Sequence, residues 1–202
     1  MDTNRKAPIG RPRGFDVDEA LERAVVVFWE RGYEGASLTD LTDAMGITRT
    51  SMYAAFGNKE ELFRKALERY TEGPAAYGAR ALEEPTSEAV ATALLNGSVR
   101  AATRPGFPAG CLGVQGSLAA GDPGRAARDA LIDWRNVGWS RLDERFQRAV
   151  DEGDLPPHAD AGVLARYVMT VANGIAVQAA SGATREQLQP VADAALRNWP
   201  PV

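Results

Sequence analysis

The stretch from Gly46 to Leu62 constrains this chain more than any other part of its sequence. It runs G-I-T-R-T-S-M-Y-A-A-F-G-N-K-E-E-L, a pattern that predicts a short helix, a one-residue break and the start of another helix. Met52 and Phe56 are four residues apart, so one face of the first helix is apolar. The opposite face carries one guanidinium, hydroxyls and small side chains, from Arg49, Thr50, Tyr53 and Ala54. That mixture suits contact with base edges in a DNA major groove.

Another short helix is predicted directly upstream, between Ser37 and Met45. Its apolar side contains Leu38, Leu41 and Met45, again at helical spacing. Two short helices joined at Gly46 form a helix-turn-helix. The sequence therefore predicts that the second of these helices presents its polar face outward.

Residues 15 to 70 resemble the DNA-binding domain of the TetR family of bacterial regulators. The matching segments are F-D-V-D-E-A-L-E-R-A, G-Y-E-G-A-S-L-T-D-L, G-I-T-R-T-S-M-Y-A-A-F and N-K-E-E-L. Their combination is specific, whereas an isolated helix-turn-helix pattern is not. The resemblance implies an all-α fold, in which an N-terminal three-helix helix-turn-helix DNA-binding domain precedes a larger helical ligand-binding and dimerisation domain.

Three segments are predicted along the chain. Residues 1–14 form a flexible basic arm, because prolines and glycines occur there among basic residues. Residues 15–72 form the helix-turn-helix DNA-binding domain, and residues 73–202 form the helical ligand-binding and dimerisation domain. The net charge of −4 taken alone argues against a nucleic-acid binder. A DNA surface needs positive charge only where phosphates lie, however, and the arm is locally basic.

The residues expected to contact DNA lie in the arm, at helix starts and on the recognition helix, which runs from Thr48 to Phe56. They are Arg11, Arg13, Ser37, Thr39, Thr48, Arg49, Thr50, Ser51, Tyr53, Ala54 and Lys59. Arg49 is the candidate for reading a base, since arginine pairs bidentately with guanine. Ser37 and Thr48 are predicted helix caps, where backbone amides and a hydroxyl can bind a phosphate.

The resemblance implies further roles within this set, and plainer interpretations stay open beside them. It makes Tyr53 and Lys59 phosphate ligands and favours Arg11 and Arg13 within the arm. In the plainer interpretation Arg49 is a phosphate contact or a surface charge, and Lys59 is an ordinary solvated lysine. Tyr53 is then a half-buried core aromatic, and the arm has no role. The small side chains next to Tyr53 limit the number of direct contacts that the recognition helix can make with base edges.

The chain ends in two strongly apolar helices, predicted to start after Asp160 and at Arg185. Their apolar surface exceeds what one small bundle needs. The resemblance implies that they form a four-helix interface with a second copy, which supplies two DNA-reading heads. The expected interface residues are Val168, Val171, Ile175, Leu188, Val191 and Ala195.

Aromatic and soft side chains are spread over several helices of the larger domain, together with amides in apolar stretches. The resemblance implies that some of them line a cavity for a small-molecule effector, although any one of them could simply pack the bundle. The candidates are Tyr77, Phe107, Cys111, Gln115, Trp134, Trp139, Phe146, Met169 and Asn173.

No catalytic or metal-binding pattern occurs in the sequence. It has no Ser/His/Asp or Cys/His set close along the chain, no glycine-rich phosphate loop after a strand and no H-E-x-x-H. His158 and Cys111 are the only residues of their types, and they lack the spacing of metal ligands. We therefore expect a protein that is not an enzyme and has no metal or cofactor.

The sequence also bears on localisation. One cysteine excludes an internal disulfide, the first residues lack the apolar core of a signal peptide, and no run approaches a membrane span. We expect a cytoplasmic protein without a membrane partner.

These observations favour a ligand-responsive transcriptional regulator. As a homodimer it would bind a palindromic operator in double-stranded DNA, and a small molecule would release it. Repression is the family's common logic, and activation stays open. The alternatives are a helical dimer whose helix-turn-helix contacts proteins, an enzyme that uses the C-terminal pocket, and a regulator without a ligand.

Overall fold

A computed structural model of the protein describes residues 14–115, 124–197 and 199–201. Within these ranges every regular element is a helix, which confirms the all-α prediction. The helices are α1 (Val17–Gly35), α2 (Leu38–Met45), α3 (Arg49–Phe56), α4 (Lys59–Glu72), α5 (Tyr77–Ala81), α6 (Ser87–Ala102), α7 (Leu112–Gln115), α8 (Arg125–Asp151), α9 (Ala161–Ala180) and α10 (Arg185–Leu196). The predicted DNA contacts Arg11 and Arg13 lie outside the described residues.

The helices on either side of the recognition helix begin at reciprocal capping boxes. Ser37 and Asp40 form the box at α2, where the Asp40 amide lies 3.1 Å from the Ser37 hydroxyl. Asn58 and Glu61 form the equivalent box at α4. Each box satisfies backbone N–H groups that the first helical turn leaves unpaired. The cap of α2 is the residue that the sequence predicts, Ser37.

The turn between α2 and α3 depends on Gly46. Its φ of 68° and ψ of 29° lie in the left-handed region, which glycine adopts without steric cost. The Gly46 amide donates to the carbonyls of Thr42 and Asp43, which ends α2. Thr48 then caps α3, because its hydroxyl accepts from the Ser51 amide at 3.1 Å. The predicted helix-turn-helix is present.

The first four helices share an aromatic core. Phe28 of α1 contacts Phe63 of α4 edge to face, with ring centroids 5.0 Å apart. The apolar side of α3 buries Met52 and Phe56, which are 0% and 2% exposed. Burying such a side chain contributes about 1.5–3 kcal/mol to stability. The core therefore holds α3 by its apolar face and leaves its polar face in solvent.

A second buried core lies among the long helices of the larger domain. It draws apolar side chains from α6, α8, α9 and α10. Three residues of the expected dimer interface lie in this core within the single chain, namely Val168, Ile175 and Leu188, which are 0%, 1% and 3% exposed. The other three expected residues are partly buried or exposed, namely Val171, Val191 and Ala195.

The sequence was expected to contain no run that approaches a membrane span, and α9 differs from this expectation. By length and composition alone, its 20 residues are apolar enough to cross a membrane. Core helices of soluble proteins pass the same test. α9 packs against α6 and α8 and contributes buried residues to the second core. Its exposed side carries Val163, Arg166 and Val177.

Apolar contacts continue across the predicted boundary after residue 72. Leu112 of α7 and Leu131 of α8 belong to the same buried cluster as residues of α1 and α4. Tyr70, near the end of α4, lies 6.2 Å from Trp134 of α8 between ring centroids. The helix α4 is therefore shared by both parts of the molecule.

Candidate nucleic-acid interface and ligand cavity

The outer face of α3 is the candidate DNA-reading surface. Arg49, Thr50, Tyr53 and Ala54 are exposed, and Tyr53 exposes 49% of its surface although it is aromatic. The cap Thr48 and the partly buried Ser51 are joined by a hydrogen bond of 3.0 Å between their hydroxyls. The structure therefore brings the predicted contacts of α3 together at one surface.

Arg49 links the two helices of the motif. Its Nη2 donates to Oγ1 of Thr39 on α2, 2.8 Å away, and both side chains are exposed. A guanidinium has several N–H donors in a fixed plane, so one bond to Thr39 leaves others for a base or a phosphate. The contact limits the directions in which Arg49 can point.

The start of α2 is fastened to α1. The Ser37 hydroxyl donates to the Asp40 carboxylate at 2.6 Å, and Arg31 pairs with the same carboxylate at 2.5 Å. Hydrogen bonds from Ser37 are the main reason why the pKa of Asp40 is lowered, and the contact with Arg31 lowers this pKa further. Thr39 is the second residue of α2, so these contacts also hold it in place.

Lys59 occupies the first position of α4, beside α1. Its Nζ lies 4.4 Å from the centroid of the Tyr33 ring, a cation–π contact. Partial burial lowers the pKa of Lys59, and the charge of Glu34 opposes that shift. Burial also raises the pKa of the Tyr33 hydroxyl. The ammonium is held where the N–H groups of a helix start also favour an anion.

A cavity of ≈ 240 Å³ lies in the larger domain, with walls that are mostly apolar and aromatic. Helices α4, α5, α6, α8 and α9 contribute to it, as does the segment around α7. Five of the candidate pocket residues line it, namely Tyr77, Cys111, Trp134, Met169 and Asn173.

The other four candidates do not line the cavity. Phe107 is 37% exposed in a loop, where the Arg104 guanidinium lies 4.1 Å from its ring centroid. Phe146 is buried in the second core and packs on the Trp199 ring. Trp139 packs under the Arg166 guanidinium at 4.4 Å. Gln115 ends α7, next to the cavity residue Val114.

Two cavity residues that the sequence analysis missed come from α4. The Tyr70 hydroxyl donates to Sγ of Cys111 at 3.2 Å. The Thr71 hydroxyl accepts from Nε1 of Trp134 at 2.8 Å. The helical spacing of Tyr70 indicates that it points inward, but spacing alone does not show that it faces a void. These two bonds join the last turn of α4 to the cavity wall.

Two arginines of α8 were also missed, Arg135 and Arg141. Arg141 follows Trp134 by seven residues, which is two helical turns, so the two share one face of α8. This spacing is the sequence feature that could have identified Arg141 as a cavity residue. Arg135 is partly buried, and its Nη1 donates to the Gly113 carbonyl at 2.6 Å.

Burial shifts the acid groups of the cavity in one direction. It raises the pKa of Cys111, although the hydrogen bond from Tyr70 and the charge of Arg135 oppose the shift. It also raises the pKa of Tyr70 and of Tyr77, and the neighbouring Cys111 adds to both effects. The whole Cys111 residue is partly exposed, but its thiol lies in the protein interior. These groups are neutral near pH 7.

Among the residues that the structure describes, no three His, Cys, Asp or Glu side chains are grouped as metal ligands. The cavity instead offers an apolar volume with a few hydroxyls, one amide and two guanidiniums. A surface of this kind binds an organic molecule by shape and by a small number of polar contacts.

The helix-turn-helix presents a polar face to solvent, and α4 joins it to a domain with a ligand-sized cavity. Together these features define a helix-turn-helix regulator of transcription. The family model "Bacterial regulatory proteins, tetR family" matches residues 20–66. The model "Tetracyclin repressor-like, C-terminal domain" matches residues 90–195. The chain belongs to the TetR family of bacterial transcriptional regulators, as the sequence resemblance predicted.

Similar proteins match over nearly the whole chain. The HTH-type transcriptional repressor ComR of Escherichia coli (strain K12) is 35% identical over 95% of this chain and 92% of its own length. The repressor BdcR of the same strain is 30% identical over 89% and 86%. A cysteine variant of the TetR family regulator CifR has been solved with a 26-bp double-strand operator DNA, and it is 44% identical to this chain. The match covers 94% of this chain and 100% of the CifR chain, with a TM-score of 0.89.

Proposed function

We propose that this protein is a transcriptional repressor that binds a near-palindromic operator as a homodimer and is released by a small molecule. The observation that carries the proposal is the position of α4. It begins at Lys59, three residues after α3 ends at Phe56, and its last turn places Tyr70 and Thr71 in the cavity wall. A change in the cavity therefore reaches the DNA-reading surface through one continuous helix.

The hydrogen bonds at the end of α4 give this connection a physical basis. Tyr70 is hydrogen-bonded to Cys111, and Thr71 is hydrogen-bonded to Trp134. A molecule that enters the cavity therefore contacts the side chains that hold the end of α4 in place. A ligand releases DNA only if it binds the DNA-free conformation more tightly than the DNA-bound one. Displacement of α4 would change the position of α3 and the separation of the two heads in a dimer.

The similar proteins support repression. ComR and BdcR are named transcriptional repressors, and CifR has been solved on operator DNA. The exposed valines of α9 and α10, Val163, Val177 and Val191, offer an apolar surface for a second copy. We assign the dimer contact to these exposed positions in place of the buried ones, and we place the protein in the cytoplasm, where its operator would be.

The proposal is tested by selecting bound duplexes from a random DNA pool with the purified protein near physiological salt. We expect enrichment of an inverted repeat whose half-sites are about 34–36 Å or more apart. The enriched duplex then serves as the probe for release by small molecules. Failure of the folded protein to enrich any sequence contradicts the proposal.

A variant that fills the cavity separates DNA reading from ligand response. Ala172 is 7% exposed and lines the cavity, so Ala172→Leu reduces the space available to a ligand. We expect this variant to bind the selected operator like the wild type and to need a higher ligand concentration for release. Equal release of both proteins by the same ligand would place the effector outside the cavity.

A further inference from the structure

The described walls of the cavity carry positive charge and no carboxylate. Arg135 and Arg141 line it, whereas none of its lining residues is an aspartate or a glutamate. Burying a charged ligand is costly unless an opposite charge meets it. A cationic ligand finds no such partner among these residues, and an anionic ligand finds two.

The two guanidiniums lie at different depths. Arg135 is partly buried and fixed by its hydrogen bond to the Gly113 carbonyl, and burial lowers its pKa. Arg141 is exposed although it lines the cavity, so it lies where the cavity meets solvent. Guanidinium groups bind carboxylates through paired, charge-assisted hydrogen bonds. An anion can therefore enter past Arg141 and remain near Arg135.

The volume and the walls limit the rest of the ligand. A cavity of about 150 Å³ is known to hold one benzene molecule, and drug-sized ligands occupy upwards of about 300 Å³. At ≈ 240 Å³ this cavity fits one ring with a short side chain. Tyr77, Trp134 and Met169 offer aromatic and thioether surface for such a ring.

We propose that the effector is a small amphipathic anion, a single-ring aromatic carboxylate or an acid of similar size, whose carboxylate is bound by Arg141 and Arg135. Its ring occupies the apolar part of the cavity beside Trp134. This inference rests on the proposed function, because it names the chemical class of the molecule that releases the operator.

The test compares three probes with the same ring and chain length but different charge. Phenylacetate, 2-phenylacetamide and 2-phenylethylamine are titrated into the full-length protein by calorimetry, in a buffer free of carboxylates. We expect phenylacetate to bind at least about tenfold more tightly than the amide and the amine to bind most weakly. Phenylacetate should also release the selected operator.

Variants on α8 assign the effect to the cavity. Arg141→Gln should weaken phenylacetate binding by about tenfold and leave the amide unchanged, because only the charged contact is lost. Arg148→Gln is the matched control on the same helix, since Arg148 is exposed and absent from the cavity wall. It should bind all three probes like the wild type.

The outcomes separate this inference from the proposed function. Equal binding of amide and carboxylate, or no binding of any probe, overturns the anion class. Release of the operator by a neutral molecule alone also overturns it and leaves the repressor function standing. Failure of the ligand-free protein to bind any operator counts against the proposed function, while the calorimetry, which needs no DNA, still decides the anion class.

Discussion

Arg49 of the recognition helix donates a hydrogen bond to Thr39 of the preceding helix, with Nη2 2.8 Å from Oγ1. The partner helix is itself fixed, because Arg31 of α1 pairs with Asp40 at its first turn. A side chain with few accessible orientations loses less entropy on meeting DNA. We therefore expect Thr39 to act on base reading through Arg49, in addition to any phosphate contact of its own.

The first prediction tests that relationship. Arg49→Ala should weaken operator binding by about 1–3 kcal/mol and relax base choice at one position per half-site. Thr39→Val should lose about 1 kcal/mol because the orienting hydroxyl is gone, and Thr39→Ser should retain most of the affinity. Fluorescence anisotropy on the selected operator measures all three.

The double variant decides how Thr39 acts. If it works through Arg49, Thr39→Val should have little further effect in the Arg49→Ala background, because the energies of coupled residues do not add. An equal loss in both backgrounds would mean that the Thr39 hydroxyl contacts the DNA itself.

The second prediction concerns phosphate binding by Lys59. Lys59→Gln should weaken binding to operator and to unrelated duplexes alike, because a phosphate contact carries no sequence information. It should also reduce the slope of log affinity against log salt by about one for each Lys59 that contacts DNA. Arg148→Gln, which removes a distant exposed cation, serves as the control. An unchanged slope for Lys59→Gln would exclude this phosphate contact.

The helix-turn-helix was predictable because its signals are local. The capping box of Ser37 and Asp40, the left-handed Gly46 and the spacing of Met52 and Phe56 each involve residues close together along the chain. Such features fix helix starts, the turn and the buried face without reference to the rest of the molecule. The outward face of α3 then follows from the buried one.

The cavity and the exposed face of α9 were less predictable because they depend on long-range packing. Helical spacing predicts that Tyr70 and Phe146 both point inward. In the structure Tyr70 lines the cavity, whereas Phe146 packs against the Trp199 ring. Val168 and Val177 both belong to the apolar α9, but only Val177 remains exposed once α6 and α8 are in place. Helical spacing separates inside from outside and does not separate a core from a cavity or an interface.

The third prediction concerns stability of the larger domain. Arg145 is 6% exposed, and its guanidinium donates to the carbonyls of Leu82, Glu84 and Pro85 at 3.2, 2.8 and 3.1 Å. Arg145→Met keeps the apolar stem but leaves these carbonyls without their donor. We expect a loss of about 2–4 kcal/mol in the free energy of unfolding.

Urea denaturation measures the loss at a fixed protein concentration, because the stability of the proposed dimer would depend on concentration. Arg148→Met on the exposed side of the same helix should change the free energy of unfolding by less than about 0.5 kcal/mol. Similar losses in the two variants would show that the carbonyl contacts of Arg145 contribute little.

The last prediction is a fall in stability at alkaline pH. Burial raises the pKa values of Cys111, Tyr70 and Tyr77, so the folded protein keeps these acids protonated where the unfolded chain releases their protons. Below the ordinary thiol pKa of about 8.5 both states hold the protons, and the stability is fully present. Above it, the free energy of unfolding should fall by about 1.4 kcal/mol per pH unit for the thiol, and more steeply above about pH 10 as the tyrosines add to it.

Urea titrations between pH 7.5 and 10.5 measure this fall, and two variants assign it. Cys111→Ser removes the thiol titration and should make the decline between about pH 8.5 and 10 shallower than in the wild type. Tyr77→Phe should leave that range unchanged and reduce the decline only above about pH 10, because a phenol in the unfolded chain ionises there. Parallel curves for the wild type and both variants would mean that other groups cause the alkaline loss, and that the cavity acids titrate alike in the folded and unfolded protein.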